Sequence, residues 1–224
     1  MLKIENFEVL GWEHAIRGMR NPMNSWEKSD SNFFDDSEGH VCNICQGHGP
    51  MSLIEIGPND HDLMKNLRNA GTDHRKFMRM ITVYLDITGP LYWWKEFDTY
   101  RVGVEKNSCS TMHKIHAKEF TLEDFSCEKL YDPLGDLRPI VDRLNVYRER
   151  YLKTKDKNDW WQMIQLLPSS YNQKRTVMLN YEVLANIYKS RRNHKLDEWH
   201  TLCDWIESLP YSELITGNEK EVLG

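Results

Sequence analysis

Two groups of residues in this chain have side chains and spacings that can do chemistry. The first is the nine-residue run HVCNICQGH, in which His40, Cys42, Cys45 and His48 crowd together. Thiolate and imidazole are the ligands a soft cation such as zinc prefers, and C-x-x-C is a common half-site. No second C-x-x-C or H-x-x-x-H follows, so reduced thiols in a polar loop are the competing reading of the same residues.

The second group is the pair Asn180 and Arg191. Eleven residues make close to three helical turns, which puts both side chains on one face about 16 Å apart. Leu184 and Ile187 lie between them. An elongated ligand can meet an amide at one end and a guanidinium at the other, and the guanidinium fork suits phosphate or an anionic ring edge. The plainer alternative is that Asn180 is a helix N-cap. Arg191, with Arg192, His194 and Lys195, then complements the C-terminal end of the helix dipole.

The elements that must position these groups are legible in part. Residues 2–9 read as a short strand, with a helix or turn from 13 to 19. Residues 21–50, rich in Asn, Ser, Asp and Gly, read as a long loop, of the kind that is functional or mobile in compact domains. Leu63, Met64 and Leu67 recur at helical spacing. Ile81, Val83, Leu85 and Ile87 alternate with Thr82, Tyr84, Asp86 and Thr88, the period of a strand. Pro90 opens a heavily aromatic helix, LYWWKEFDTY. From about Leu137 the chain reads as helical. Asn180 caps YEVLANIYKSRR, and Asp197 caps EWHTLCDWIESL with Trp199, Leu202, Cys203 and Ile206 on its apolar face. With its clear strands in the first half, the chain is expected to be one α/β or α+β domain over 1–224, with a frayed tail at 216–224.

Composition narrows the class. The 224 residues carry a net charge of -5 and are 40% hydrophobic, enough for a sizeable core. A pI near 6.0 argues against coating a nucleic-acid polymer or an anionic membrane. No apolar run is long enough to cross a membrane, and no secretory signal is visible. An odd number of cysteines, five, favours free thiols in a cytoplasmic setting. No P-loop, G-x-G-x-x-G, G-x-S-x-G or H-E-x-x-H pattern is present.

Taken together, these segments resemble the flavin-dependent thymidylate synthases. The likeness is clearest in LPSSYNQKRTVMLNYEVLANIYKSRR, where Pro168, Asn180, Asn186 and Arg191 fall at the intervals of the family motif. The following DEWHTL is similar to the family's next helix with one extra spacer residue, and His194 lies one residue out of register with a flavin-contacting histidine. A second region runs from His74 to Ser110. Counting from Pro90, His74 and Arg101 match a flavin-contacting His and the last Arg of an Arg-His-Arg triplet, while Asn107 and Ser110 keep the spacing of a substrate loop.

This resemblance implies a single α+β domain of that family, with a mixed sheet flanked by helices and a mostly helical C-terminal half. It implies a homotetramer that binds FAD through His74, Arg101, Asn107, Asn180, Asn186 and His194. A pyrimidine nucleotide such as dUMP would be held by Glu96, Ser110 and Arg191, with Arg191 also the catalytic group. NADPH and methylenetetrahydrofolate would be the co-substrates. Several positions depart from the pattern. Thr99-Tyr100 replaces Arg-His, Glu96 replaces Gln, Met112 stands at the phosphate-binding Arg, Glu182 at an Arg beside the first Asn, and Ile164 at a base-contacting Arg. Removing a charged hydrogen bond to a ligand costs about 2–5 kcal/mol, so nucleotide affinity falls steeply unless Lys106, Lys114, Arg75 or Arg79 substitutes. Glu96 can accept from an exocyclic amine, which points to a cytosine-type base. The alternative is a catalytically altered homologue, in a phage or mobile-element setting, that binds a nucleotide or a protein partner. A metal-binding adaptor built on residues 40–48 is the third reading.

Overall fold

The computed structural model describes residues 2–34 and 53–217. The order of elements is β1 (Lys3–Leu10), α1 (Trp12–Arg20), β2 (Asn32–Phe34), β3 (Leu53–Glu55), α2 (Pro58–Asn69), β4 (Thr82–Pro90), α3 (Leu91–Phe97), β5 (Glu105–Ser108) and α4 (Thr111–Lys114). The chain continues through α5 (Pro133–Asp136), α6 (Arg138–Thr154), α7 (Lys157–Leu166), β6 (Asn172–Asn180), α8 (Tyr181–Arg191), α9 (Asp197–Glu207) and α10 (Glu213–Thr216). The class is α+β, as expected.

The main sheet has the order β1-β4-β6-β5, and β2 pairs with β3 in a separate two-stranded ribbon. The sheet is antiparallel where a mixed one is expected: Leu91 N donates to Tyr171 O and Tyr181 N to Ile81 O, both at 3.0 Å, so one strand rises in number as its partner falls. A second correction concerns where the strands lie. β6 is in the C-terminal half and is a central strand. Its sequence, NQKRTVMLN, buries Gln173, Val177 and Leu179, but the alternation is masked because the first inward position is polar. Gln173 is tolerated there because its side-chain amide donates to Cys109 O at 2.7 Å. A third difference is that Asp197 is the first residue of α9; the cap position is Leu196.

The chain forms two compact units, and every main-sheet strand contributes residues to both. Unit 1 comprises residues 1–3, 87–99 and 107–175. Trp93, Trp94 and Phe97 of α3 are fully buried there, with ring centroids 4.8–5.3 Å apart. A second cluster joins Phe120 and Phe125 to Val141 and Leu144 of α6 and Met163 of α7. Each such apolar side chain contributes about 1.5–3 kcal/mol on burial.

Unit 2 comprises residues 4–86, 100–106 and 176–224. Trp12 lies edge-on to Tyr181 and Tyr211, each at 5.3 Å, and Phe7 packs on Trp205. The described part of the 21–50 stretch is not plain loop. It forms two short 3-10 turns and β2, and its Ser29 and Ser31 join Arg20 of α1 in holding Asp60 of α2. Arg20 Nε donates to Asp60 Oδ1 at 2.6 Å, while Ser29 and Ser31 hydroxyls both donate to Asp60 Oδ2 at 2.7 Å. Burial raises the Asp60 carboxyl, but Ser31, Ser29 and Arg20 together hold it below its ordinary pKa.

Candidate functional site

The candidate residues fall into two groups, one in each unit. Unit 2 holds His74, Arg101, Asn180, Asn186, Arg191 and His194; unit 1 holds Glu96, Asn107 and Ser110. His40, Cys42, Cys45 and His48 lie outside the described residues, and no set of three potential metal ligands occurs among those described.

In unit 2, α8 begins where the cap chemistry requires. Asn180 is extended (φ -136°), and its Oδ1 accepts from Val183 N at 3.0 Å. The plainer reading of Asn180 is therefore correct for its oxygen. Its Nδ2 faces Gly103, whose left-handed backbone (φ +71°) brings residues 100–106 so close that a Cβ there would sit 3.0 Å from the amide nitrogen.

At the other end of α8, Arg191 is held by two aromatic side chains. Its Nε donates to the Tyr100 hydroxyl at 3.0 Å, and its guanidinium lies 4.6 Å from the Trp199 ring and 5.7 Å from that of Tyr100. Trp199 is fully buried, so this orientation is fixed from below. The guanidinium thus loses rotamer freedom, which suits a group aimed at a delocalised anion. Tyr100 and Trp199 are the residues around Arg191 that the sequence pattern does not single out. The signal for Tyr100 is its place at the family's imidazole position, next to Arg101.

His194 accepts from Leu196 N through Nδ1 at 3.1 Å, which sets the neutral ring in the Nε2–H tautomer as a donor. Its ring is edge-on to Trp199 at 6.2 Å. His74, Arg101 and Asn186 are exposed. Arg75 forms a two-point ion pair with Glu182, Nε to Oε2 at 2.8 Å and Nη2 to Oε1 at 3.1 Å, and reaches Asn186 Oδ1 at 3.5 Å. The Glu at this family arginine position is thereby compensated internally. Arg75 cannot serve as an uncompensated replacement cation.

In unit 1, Ser110 caps the short α4, its Oγ accepting from His113 N at 2.9 Å. It lines a cavity of about 250 Å³ together with Cys109, Lys114, Lys118, Tyr171 and Gln173. Lys118 pairs with Asp124. Burial, then the nearby Asp124 carboxylate, pushes the Tyr171 phenol above its ordinary pKa, so it remains a neutral hydrogen-bonding group. Of the four substitutes considered, Lys114 is the one beside Ser110, whereas Lys106 reaches the carbonyl of Tyr100. Asn107 on β5 is exposed. Glu96 is half-buried on α3, its carbonyl accepting the Thr99 hydroxyl at 2.8 Å. Nearby, Arg175 stacks on Trp94 at 4.2 Å and pairs with Asp98 at 2.8 Å.

No family model matches the chain, and no curated protein sequence does. Solved structures do. Thymidylate synthase X (ThyX) of Helicobacter pylori, in a crystal structure with FAD and dUMP, superposes with a TM-score of 0.69 at 17% identity, covering 97% of this chain and 98% of that one. A second crystal structure of the flavin-dependent enzyme from the same organism, also complexed with FAD and dUMP, gives the same score and identity over 96% of this chain. A UMP/dUMP methylase, PolB, of Streptomyces cacaoi bound with 5-Br dUMP matches at TM-score 0.56 and 13% identity over 97% of this chain. The chain has the fold of the flavin-dependent thymidylate synthases along nearly its whole length.

Proposed function

We propose that this chain is a divergent, thymidylate synthase-like flavoenzyme that transfers a one-carbon unit to a pyrimidine deoxynucleotide such as dUMP. In that reaction a methyl group replaces the C5 hydrogen of the uracil ring. The carbon comes from methylenetetrahydrofolate and the electron pair from NADPH. A bound FAD would supply the carrier for both. The observation that carries the reading is Arg191, pre-oriented by Tyr100 and Trp199 at the end of α8 in a chain that shares the fold throughout.

The donor set of unit 2 suits FAD. Exposed Arg101 can pair with a pyrophosphate, His74 and Asn186 are open to ligand, and His194 offers an Nε2–H to a ring edge. Arg191 stabilises negative charge developing on the pyrimidine. Glu96 and Ser110 are the substrate-side groups, with Lys114 replacing the cation lost at Met112. Asn107 and Asn180 complete the cofactor set. The working form is a soluble cytoplasmic homotetramer.

The test begins with an absorption spectrum of protein loaded with FAD and desalted. Retained bands near about 370 and 450 nm, followed by dUMP-dependent formation of dTMP, are expected. Protein that cannot retain flavin defeats the proposal. A second reading, a non-catalytic nucleotide-binding homologue, is motivated by the Arg75–Glu182 pair, which neutralises a cation the enzyme would use. Nucleotide binding by calorimetry without flavin retention or turnover would favour it.

A further inference from the structure

Unit 1 contains another cavity, which Met112 also borders but which none of the residues assigned above to hold flavin or nucleotide lines. It measures about 290 Å³ and is lined by His113, His116, Tyr151, Lys155, Lys157 and Trp160. Its walls come from α4 and the residue stretch after it, the end of α6 and the start of α7.

Three observations make it a place built for a ligand. First, His116 Nδ1 is buried with no hydrogen-bond partner. Buried polar atoms are normally satisfied, so an unpartnered one on a residue that lines a cavity wants a partner from outside the chain. The ring is held in place: it lies edge-on to Tyr151 at 4.8 Å, and its own carbonyl accepts from Arg148 Nε at 3.0 Å. Burial first, then Lys155, Lys114 and Arg148, push this imidazole below its ordinary pKa, so it is neutral and can hydrogen-bond in either direction.

Second, the ionised lining groups are cationic. Lys155 and Lys157 carry the charge, and no Asp or Glu is in the wall. The intervening Asp156 is committed to capping α7, accepting from Asn158 N at 2.8 Å. Third, the cations have fixed roots. Lys155 takes the left-handed conformation (φ +59°) that ends α6, and its ammonium sits 5.5 Å over the Tyr151 ring. Trp160 is anchored by its Nε1, which donates to Met112 O at 3.0 Å.

The geometry points to a binding site for a small phosphate monoester that also carries hydroxyl groups, with the phosphate on Lys155 and Lys157 and a hydroxyl on His116 Nδ1. Lysine ammoniums suit a compact phosphate, and a hydroxyl can donate to or accept from either tautomer of His116.

The experiment titrates the full chain, labelled with ¹⁵N-histidine, with ribose 5-phosphate at low ionic strength. Saturable movement of the His116 imidazole signals is expected, with His200, on α9, unmoved. Inorganic phosphate should bind more weakly and leave His116 Nδ1 largely unshifted, and ribose alone should not bind. The double variant Lys155→Ala/Lys157→Ala removes two exposed side chains, so the fold is retained. Its affinity should fall about tenfold or more, because the lost contacts are charge-assisted. Lys118→Ala, in the neighbouring cavity, should leave affinity unchanged. Absence of a saturable His116 shift, an undiminished affinity in the double variant, or a loss confined to Lys118→Ala would each overturn the assignment.

Discussion

The two units hold their cations in different ways. In unit 2 the guanidiniums that matter have fixed partners: Arg20 on Asp60, Arg75 on Glu182, and Arg191 on Tyr100 and Trp199. Among these, Arg191 differs in having a phenol and an indole among its partners, which fix the plane of its guanidinium. In unit 1 the cavity cations are lysines, at 114 and 118 in one cavity and at 155 and 157 in the other. A planar guanidinium in a fixed orientation suits charge spread over a ring, whereas an ammonium on a flexible stem suits a compact phosphate. On the proposed readings, chemistry that needs a precise direction falls to unit 2 and recognition of a small anion to unit 1.

That contrast can be broken at several points. The largest effect is expected at Asp60→Asn, which leaves Arg20 buried without its counter-charge and should cost about 3–5 kcal/mol in denaturant unfolding. The pH dependence has a definite sign. The folded carboxyl lies below its ordinary pKa, so its stabilisation is present above the ordinary carboxylate range, near about 3.9. It is lost as pH falls through the folded value. The wild type should therefore lose stability more steeply below about pH 4 than the Asn variant, which cannot ionise. Equal acid profiles would remove Asp60 as the keystone of unit 2.

Arg191→Ala comes next. Turnover of dUMP should fall about 10²–10³-fold, the loss typical of one electrostatic donor to a developing anion, with the unfolding midpoint little changed. A drop in melting temperature that accounts for the lost activity would make Arg191 a packing residue. In unit 1, Lys114→Ala should weaken dUMP binding about tenfold, seen in KM or in calorimetry. An unchanged affinity would place the phosphate elsewhere.

The smallest effect is expected for Tyr100→Phe. This variant keeps the ring beside Arg191 but removes the hydroxyl that accepts from Nε, and kcat should drop about fivefold, equivalent to one net hydrogen bond of about 1 kcal/mol. If Tyr100→Phe were as damaging as Arg191→Ala, the phenol itself would be taking part in the chemistry.

Much of unit 2 could be read from residue order. The Asn180 cap, the first-turn Glu182 and the 3.6-residue stripe of Val183, Leu184 and Ile187 define α8 with local information, because capping and amphipathic periodicity are local effects. The Ile81–Ile87 alternation likewise marks β4, since its inward residues are apolar and buried. β6 was hidden for the opposite reason: Gln173 is buried through a hydrogen bond to a carbonyl 64 positions away, a contact that no window of neighbouring residues contains. The antiparallel pairing of the sheet is non-local in the same sense.

The candidate site divides along the same line. Sequence alone determined the spacing of Pro168, Asn180, Asn186 and Arg191, the α+β class, and the loss of the family arginines at 112, 164 and 182. These are properties of residue identity and interval. Only the tertiary structure decided that Arg75 is consumed by Glu182 and that Tyr100 and Trp199 orient Arg191. The Arg75–Glu182 and Tyr100–Arg191 contacts join residues 107 and 91 positions apart, where direction and distance, rather than residue type, determine how a charge is held.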